Sequence, residues 1–375
     1  MKQHDLQPLF ATLIDEFHLK GELKDIRCIG SGNINDTYVL ETSVNGIEKN
    51  YIIQKVNHKV FLNPLHIAEN AHNVTTHIER KLVNADMPDI RRHVLHYYRK
   101  DDGAYYHITP EGDYWRVFSY VYNSVSVDIA DLPHLYSTGR AFGEFQNYLS
   151  DFPASMLYET IPDFHNTKKR YEALKEAAKE DKFGRLEEVR EEYDYLISME
   201  DKAILFSKMV ENGEIPQRVV HNDTKCNNVM FDSITGEYLA VIDLDTVMSG
   251  CVAYDFGDAV RFAANPGGED NEDISQIYLD YNYYVAFAEG FIPCVIDKLT
   301  PLEIDTLPDG VLAITLELAA RFLTDYLNGD VYFKCKKPRH NLIRTKAQIA
   351  LAKDIDAKMS ELRRRLKCII DRYNL

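Results

Sequence analysis

Ten residues of this 375-residue chain, Val219-Val220-His221-Asn222-Asp223-Thr224-Lys225-Cys226-Asn227-Asn228, carry the spacing H-x-D-x-x-x-x-N. Those residue types suit transfer of a phosphoryl group. An attacking hydroxyl needs a carboxylate within hydrogen-bond reach to take its proton, and Asp223 can be that base. A polyphosphate donor needs a divalent cation, which a neutral amide oxygen and a carboxylate can hold together. Asn228 supplies the amide. Lys225, two residues after the base, can place an ammonium between acceptor and transferred phosphate. His221 reads as orienting the loop rather than reacting, because Asp223 already covers the base role.

The metal carboxylate should follow one short hairpin later. Ala240-Val241-Ile242-Asp243-Leu244-Asp245 provides it, an apolar strand ending in acid, with Asp243 fifteen residues after Asn228. Asp245 then falls on the same strand face as a supporting group. Asp255-Phe256-Gly257 imitates the D-F-G of a kinase, but it lies 27 residues after Asn228 and follows no strand, so it reads as a decoy. Asp255 and Asp258 are instead expected to brace the loop from behind. An isolated H-x-D is ordinarily only a loop. Loop, asparagine, apolar strand and acid in this order are what raise it to a site.

Upstream, Ile29-Gly30-Ser31-Gly32-Asn33-Ile34-Asn35-Asp36 lies between two strand-like segments. A dinucleotide fingerprint would precede a helix, so a Rossmann site is excluded. A turn with Gly30, Ser31, Gly32 and Asn33 can instead fold over ATP phosphates and offer backbone N–H groups. Two glycines in a turn are by themselves only a turn; the later acidic loop gives them meaning. In Tyr51-Ile52-Ile53-Gln54-Lys55, the place a kinase reserves for its strand lysine falls on Gln54, and Lys55 points to the other face. Both remain ATP-binding candidates, since a register shift of one would exchange them. Glu69, in the next helix, is either the ionic partner of that position or a surface glutamate.

These residues need elements to hold them. Leu6, Leu9, Phe10, Leu13 and Phe17 mark one face of an N-terminal amphipathic helix. Strands are predicted at Ile26–Gly30, Asp36–Thr42 and Tyr51–Val56, with Asn45-Gly46 as a hairpin turn. A helix over Pro64–Val83 follows, then β segments at Val94–Tyr98, Tyr105–Thr109 and Tyr114–Tyr122. Beyond Leu132 the pattern is mostly helical: Leu135, Phe142, Phe145, Leu149 and Phe152 form one buried face. A hairpin, Val229–Phe231 with Tyr238–Leu244 turning at Thr235-Gly236, is embedded among the helices. The expected fold class is α+β and bilobal, like a protein kinase: a β-rich nucleotide lobe over 1–120 and a mainly helical lobe over 121–375, with the site in the cleft between them.

Lys plus Arg number 43 against 59 Asp plus Glu, a net charge of −16. Nonspecific nucleic-acid binding is excluded, because it needs a broad cationic face. Adhesion to an anionic membrane is excluded on the same ground. No apolar run reaches the length of a membrane span, and the acidic N-terminus does not read as a signal peptide. The six cysteines show no metal-binding pairs; reduced thiols in a cytoplasm are expected. Ile355, Met359, Leu362, Leu366, Ile369 and Tyr373 form a C-terminal stripe that either makes a dimer seam or packs on its own lobe, and the expectation is a monomer.

The segments VVHNDTKCNNVMFD, AVIDLDTVMSG and YDFGDAVRF resemble the aminoglycoside phosphotransferase and choline kinase group of small-molecule kinases. GSGNINDTYVL, YWRVFSYV, AFGEFQNYLSDF, FHNTKKRYE and RFLTDYLNGDVYFKCKKPRHNLIRTKAQI extend the likeness over nearly the whole chain, toward members that phosphorylate N-acetylhexosamines at the anomeric hydroxyl. The resemblance implies ATP as donor, Mg²⁺ on Asn228 and Asp243, Asp223 as base, and a sugar pocket drawn from Asp223, Thr246, Phe262, Arg321 and Tyr332. The chain departs from the pattern at Asn33, where that group carries a histidine, and the departure bears on hydroxyl preference. Arg321 also stands out unaided, as a cation within the apolar run LAITLELAARFL: it either grips hydroxyls with its fork of donors or pairs with Glu317 one turn earlier. Phe262 and Tyr332, on composition alone, would be core aromatics. The alternatives to a sugar kinase are a kinase of the same fold for another small alcohol, such as choline, homoserine or an aminoglycoside, and a nucleotide-binding pseudokinase, the latter motivated by Gln54.

Overall fold

The computed structural model describes residues 6–31, 35–128 and 131–373, with Gly30 and Ser31 described by backbone alone. Gly32 and Asn33 of the glycine turn lie outside the described residues. Helix α1 (Gln7–Glu16) leads into strands β1 (Glu22–Ser31), β2 (Asp36–Val44), β3 (Ile47–Glu48) and β4 (Tyr51–Val56). Helix α2 (Pro64–Asn84) separates these from β5 (His107–Ile108) and β6 (Tyr114–Ser119). The antiparallel sheet has the order β1-β2-β4-β6-β5, with β3 paired to β2. Ser31 pairs with Asp36, so the glycine turn does join two strands.

Strand alternation divides the sheet's faces. Tyr51 and Ile53 of β4, with Trp115 and Val117 of β6, pack against Phe10 and Leu13 of α1. Val56 and Phe118 lie on the other face, with Ile67, Ala71, Val74 and Ile78 of α2. The α2 residues recur at the 3.6 period, which is why this segment buries one stripe and stays helical. Four expected strands fall short of prediction, with Tyr114–Tyr122 ending at Ser119 and Tyr238–Leu244 at Val241. Val94–Tyr98 forms no strand, only a single bridge from Tyr97 to Phe118, and Tyr105–Thr109 shrinks to His107–Ile108. The turns around them take the backbone out of register after one or two pairs, and β-propensity alone does not restore it.

The second lobe begins with β7 (Ser124–Val125), which pairs with Phe231 and Asp232, and α3 (Leu132–Tyr148). Helices α4 (Thr167–Glu180), α5 (Arg190–Ser198), α6 (Glu200–Ala203) and α7 (Leu205–Glu211) follow. Then come β8 (Arg218–Val220), the hairpin β9 (Val229–Asp232) and β10 (Tyr238–Val241), and β11 (Met248–Gly250) paired to β8. Helices α8 (Val252–Ala263), α9 (Tyr281–Val295), α10 (Pro301–Asp305), α11 (Leu307–Leu327) and α12 (His340–Ile370) complete the chain. The core of this lobe is α11, buried along nearly its whole length against α8, α4 and α12. The α12 stripe is spent inside it: Ile355, Leu362, Leu366 and Ile369 are all buried in the same cluster.

Among the described residues no helix is long and apolar enough to cross a membrane, and all six cysteines are free. The lobes are tied across their cleft by Asn70 of α2. Its amide donates to the Tyr158 and Val247 carbonyls at 2.8 and 3.0 Å and accepts from the Tyr158 N–H at 2.9 Å.

Candidate active site

The acidic loop between β8 and β9 is held by the first turn of α8. One carboxylate oxygen of Asp255 accepts the His221 N–H at 2.8 Å, the other the Asn222 N–H at 2.8 Å, and Gln146 of α3 donates at 3.1 Å. Thr224 donates its hydroxyl to the Asp255 carbonyl at 2.6 Å. Asn222 takes the left-handed conformation, φ 65°, which asparagine tolerates best among non-glycine residues. Burial raises the Asp255 pKa, and the donors around it only partly offset that. His221 is wholly buried. Its Nε2 faces the Ile242 carbonyl at 2.9 Å and its Nδ1 accepts the Asp223 N–H at 3.3 Å, so both ring nitrogens serve the backbone. That pairing makes Nδ1 the acceptor and directs Nε2 as donor to Ile242.

The glycine of Asp255-Phe256-Gly257 has a packing duty. A Cβ there would lie 2.5 Å from the Gly310 carbonyl oxygen, so Gly257 lets α8 and α11 cross closely.

Asp223, Lys225 and Asn228 converge. Lys225 Nζ lies 2.7 Å from the Asp223 carboxylate. The Asn228 amide donates to that carboxylate at 3.0 Å and to the Asp223 carbonyl at 2.8 Å. With its NH₂ so engaged, Asn228 turns its oxygen the other way. Burial works against the Lys225 ammonium, but Asp223 and Asp258 outweigh it and hold the pKa above the usual lysine value. The same Nζ stands 5.9 Å over the ring of Phe262, near the end of α8. Asp258 itself pairs with Arg261 at 2.8 Å and touches the loop only through its field.

The Ile242 N–H donates to the Asn228 carbonyl at 2.9 Å, which brings the metal-strand acid beside the loop. Asp243 is not on the strand, however. Strand β10 ends at Val241, Asp243 is left-handed at φ 57°, ψ 58°, and a 3-10 turn, Leu244–Thr246, follows. Asp243 and Asp245 therefore share no strand face, contrary to the sequence pattern. Asp243 opens to the cleft but is walled by protein. Burial, then the charges of Asp245 and Asp223, push its pKa up to about 7.

That is a local surplus of negative charge, and a cation relieves it. Among the described residues no three His, Cys, Asp or Glu side chains gather into a metal cluster. One carboxylate and one amide oxygen suit Mg²⁺, which takes few protein ligands and completes its shell with water and phosphate oxygens.

Across the cleft, Gln54 and Arg116 are paired neighbours on β4 and β6. Arg116 donates to Gln54 Oε1 at 3.0 Å and to the Asp245 carboxylate at 2.6 Å, and Gln54 Nε2 donates to Thr37 at 2.9 Å. Arg116 and Asp245 are 2% and 3% exposed. Burial opposes the guanidinium's charge, but Asp245 more than compensates and keeps it protonated. Lys55 is on the opposite face, bound to Asp113 at 2.6 Å, so Gln54 is the candidate that faces the cleft. Glu69 is corrected too: it is exposed beside the Tyr158 hydroxyl, and the buried cation here pairs with Asp245 instead.

Of the residues that the resemblance implies for a sugar pocket, Thr246 donates its hydroxyl to the His221 carbonyl at 2.7 Å and accepts Asn222 on its own carbonyl at 2.8 Å, which fixes the loop. Arg321 lies 5.5 Å from the Phe164 ring and 5.6 Å from Phe333, with Glu317 at 3.9 Å. The fully buried Glu317 carboxylate is taken up at shorter range by His165 at 2.8 Å and Thr167 at 2.6 Å, leaving Arg321 a loose partner. Tyr332 is 66% exposed, edge-on to Phe333. Asp325, hidden from sequence reasoning, shapes that loop by accepting the N–H groups of Val331, Tyr332 and Phe333 at 2.8 to 2.9 Å. A cavity of about 410 Å³, walled in part by Asn222, Phe164, His165 and Tyr254, adjoins the loop. Arg116 and Asn35 were also missed. A lone arginine inside the apolar strand Tyr114-Trp115-Arg116-Val117-Phe118 was the available signal.

The family described as Phosphotransferase enzyme family matches residues 25–289. Among solved structures, an aminoglycoside phosphotransferase from Alicyclobacillus acidocaldarius is 12% identical, with 94% of this chain and 95% of that one covered at a TM-score of 0.58. A microcompartment-associated aminopropanol kinase is 15% identical, covering 95% and 99%, with a TM-score of 0.53. A Plasmodium vivax ethanolamine kinase is 12% identical, covering 87% and 82%, also at 0.53. At these identities the likeness speaks for a shared fold, the bilobal kinase-like architecture.

Proposed function

We propose that this chain, which belongs to the phosphotransferase enzyme family, is an N-acetylhexosamine 1-kinase: it moves the γ-phosphate of ATP to the anomeric hydroxyl of N-acetylglucosamine or N-acetylgalactosamine. The observation that carries the reaction type is the convergence of Asp223, Lys225 and Asn228 on one loop, with Asp243 hydrogen-bonded in beside them. The sugar rests on the extended sequence resemblance and on Arg321, whose loose hold on Glu317 leaves donors for hydroxyls.

In this reading Asp223 accepts the proton of the anomeric hydroxyl as it attacks. Lys225, held on Asp223, places positive charge beside the transferring group, and Phe262 limits how far the ammonium can swing. Asn228 and Asp243 would hold Mg²⁺, whose charge screens the phosphates. Gln54 contacts phosphate as a neutral donor. Catalysis is then mainly positioning and charge stabilisation. The protein works as a monomer in the cytoplasm.

Purified protein with ATP, Mg²⁺ and either sugar should give a sugar 1-phosphate by ³¹P NMR. Ester formation from choline, homoserine or an aminoglycoside, with none from either sugar, would overturn the substrate. Absence of ATP consumption across the whole panel would point to a pseudokinase.

A further inference from the structure

We propose that Arg116 is a positioning residue for the nucleotide half of the site: through a cross-cleft pair with Asp245 it takes over the structural duty of the strand cation that Gln54 lacks. The inference rests on the ATP-dependent reading above. Arg116 rises from β6 in the first lobe, while Asp245 sits in the second lobe two residues after Asp243. Their contact at 2.6 Å is nearly sealed from solvent. A buried pair of this kind adds little net stability over an apolar one, yet breaking it strands a charge, so geometry is its better use.

Three parts of the nucleotide site meet at the Asp245 carboxylate. One oxygen takes Arg116, which holds Gln54 in the same fork. The other accepts the Asn35 amide at 2.8 Å, and Asn35 follows the glycine turn directly. The Asn35 oxygen in turn accepts the Asn57 N–H at 2.9 Å, at the end of β4. Asp245 also accepts Thr160 on its backbone carbonyl at 2.8 Å. Turn, strand and metal acid therefore share one anchor.

Arg116 does not itself reach into the cleft. Its guanidinium is buried beside the Tyr106 hydroxyl and lies 5.7 and 5.8 Å from the Tyr97 and Phe118 rings. It acts through Asp245 and Gln54. A lysine would have to serve both partners from a single nitrogen, whereas the guanidinium meets them from two nitrogens held in one plane.

The test uses the whole chain, with ATP binding by calorimetry across a Mg²⁺ series and steady-state KM values for both substrates. Arg116→Lys should weaken ATP binding by at least about tenfold, as expected for losing hydrogen bonds to a charged group, while acceptor KM stays within about twofold. The double variant Arg116→Met/Asp245→Asn removes the stranded charge and should regain much of the melting temperature lost in Arg116→Met without regaining ATP affinity. Asn35→Ala removes the ties of Asn35 to Asp245 and to Asn57 but leaves the Arg116–Asp245 pair in place; it should cost about threefold to tenfold in ATP affinity, so it decides the matter even where Arg116 variants fold poorly. Wild-type ATP affinity in the double variant or in Asn35→Ala, or equal movement of ATP and acceptor KM in Arg116→Lys, would overturn the proposal. A wild-type chain that binds no ATP would instead overturn the functional reading.

Discussion

On the second-lobe wall of the cleft, Asp223 and Asn228 are fixed from beneath, by a loop whose amides are collected on Asp255 and whose carbonyls are met by Thr246 and Asn228 itself. On the first-lobe wall, Gln54 is tied within its lobe to Thr37 and Arg116, but the acid that holds Arg116, Asp245, belongs to the other side. On the proposed function, the difference teaches that the acceptor chemistry is set within one lobe, whereas the nucleotide side is set by the approach of two. Substitutions should therefore act differently on the two walls.

The sharpest probe of the rigid wall is Asp223→Asn. It should lower kcat by about 10³-fold or more while ATP binding persists, in line with loss of a general base and its charge. Calorimetry beside turnover checks this, and near-normal turnover would remove Asp223 from the base role. Asp255→Asn should follow, with kcat down by about tenfold to a hundredfold and ATP KM little changed, because it loosens a group that orients others. Equal damage to both KM values would mean that the wall is not one rigid unit.

Arg321→Ala should raise acceptor KM by about tenfold and leave ATP KM alone, as fits loss of hydrogen bonds from a charged donor. A shift in ATP KM would place Arg321 outside the acceptor pocket.

The first lobe should also be the more acid-sensitive. Burial, then the charges of Arg99 and His96, lower the His72 pKa from 6.5 to about 4; Glu79 opposes this, and Tyr105 packs on the ring. The folded state keeps His72 neutral, so between those values the unfolded chain binds the extra proton and stability falls as pH falls. Melting curves at pH 7 and pH 5 should show a smaller loss for His72→Asn than for wild type.

The smallest effect is expected for Lys55→Met. ATP KM should change by less than about twofold, since the half-buried Lys55–Asp113 pair faces away from the cleft. A tenfold rise would mean that the assignment of the two strand faces is wrong.

The sequence made the acidic loop readable because its groups act at fixed chain separations: Asp223, Lys225 and Asn228 meet within six residues. Strand Tyr51–Val56 and the Asn45-Gly46 turn emerged where predicted, from local alternation and turn chemistry. What escaped depends on distance in the chain. Arg116 and Asp245 are 129 residues apart, and Asn35 and Asp245 are 210 apart, so no window of sequence contains either pair. The expected Lys–Glu arrangement was sought at Glu69 because the pattern of related kinases puts it there, while this chain pairs its buried cation with an acid of the other lobe. The apolar run before Asp243 predicts a strand through it, but β10 ends at Val241 and Asp243 is left-handed.

Helix α8 carries Asp255 in its first turn and Phe262 near its end, and so touches the loop from below and Lys225 from above. With about 1.5 Å of rise and 100° of rotation per residue, it acts as a ruler with a set phase. A single residue inserted between the two positions would leave both side chains in the sequence yet swing one out of alignment, so this segment holds the active site to a fixed length as strictly as to its residue types.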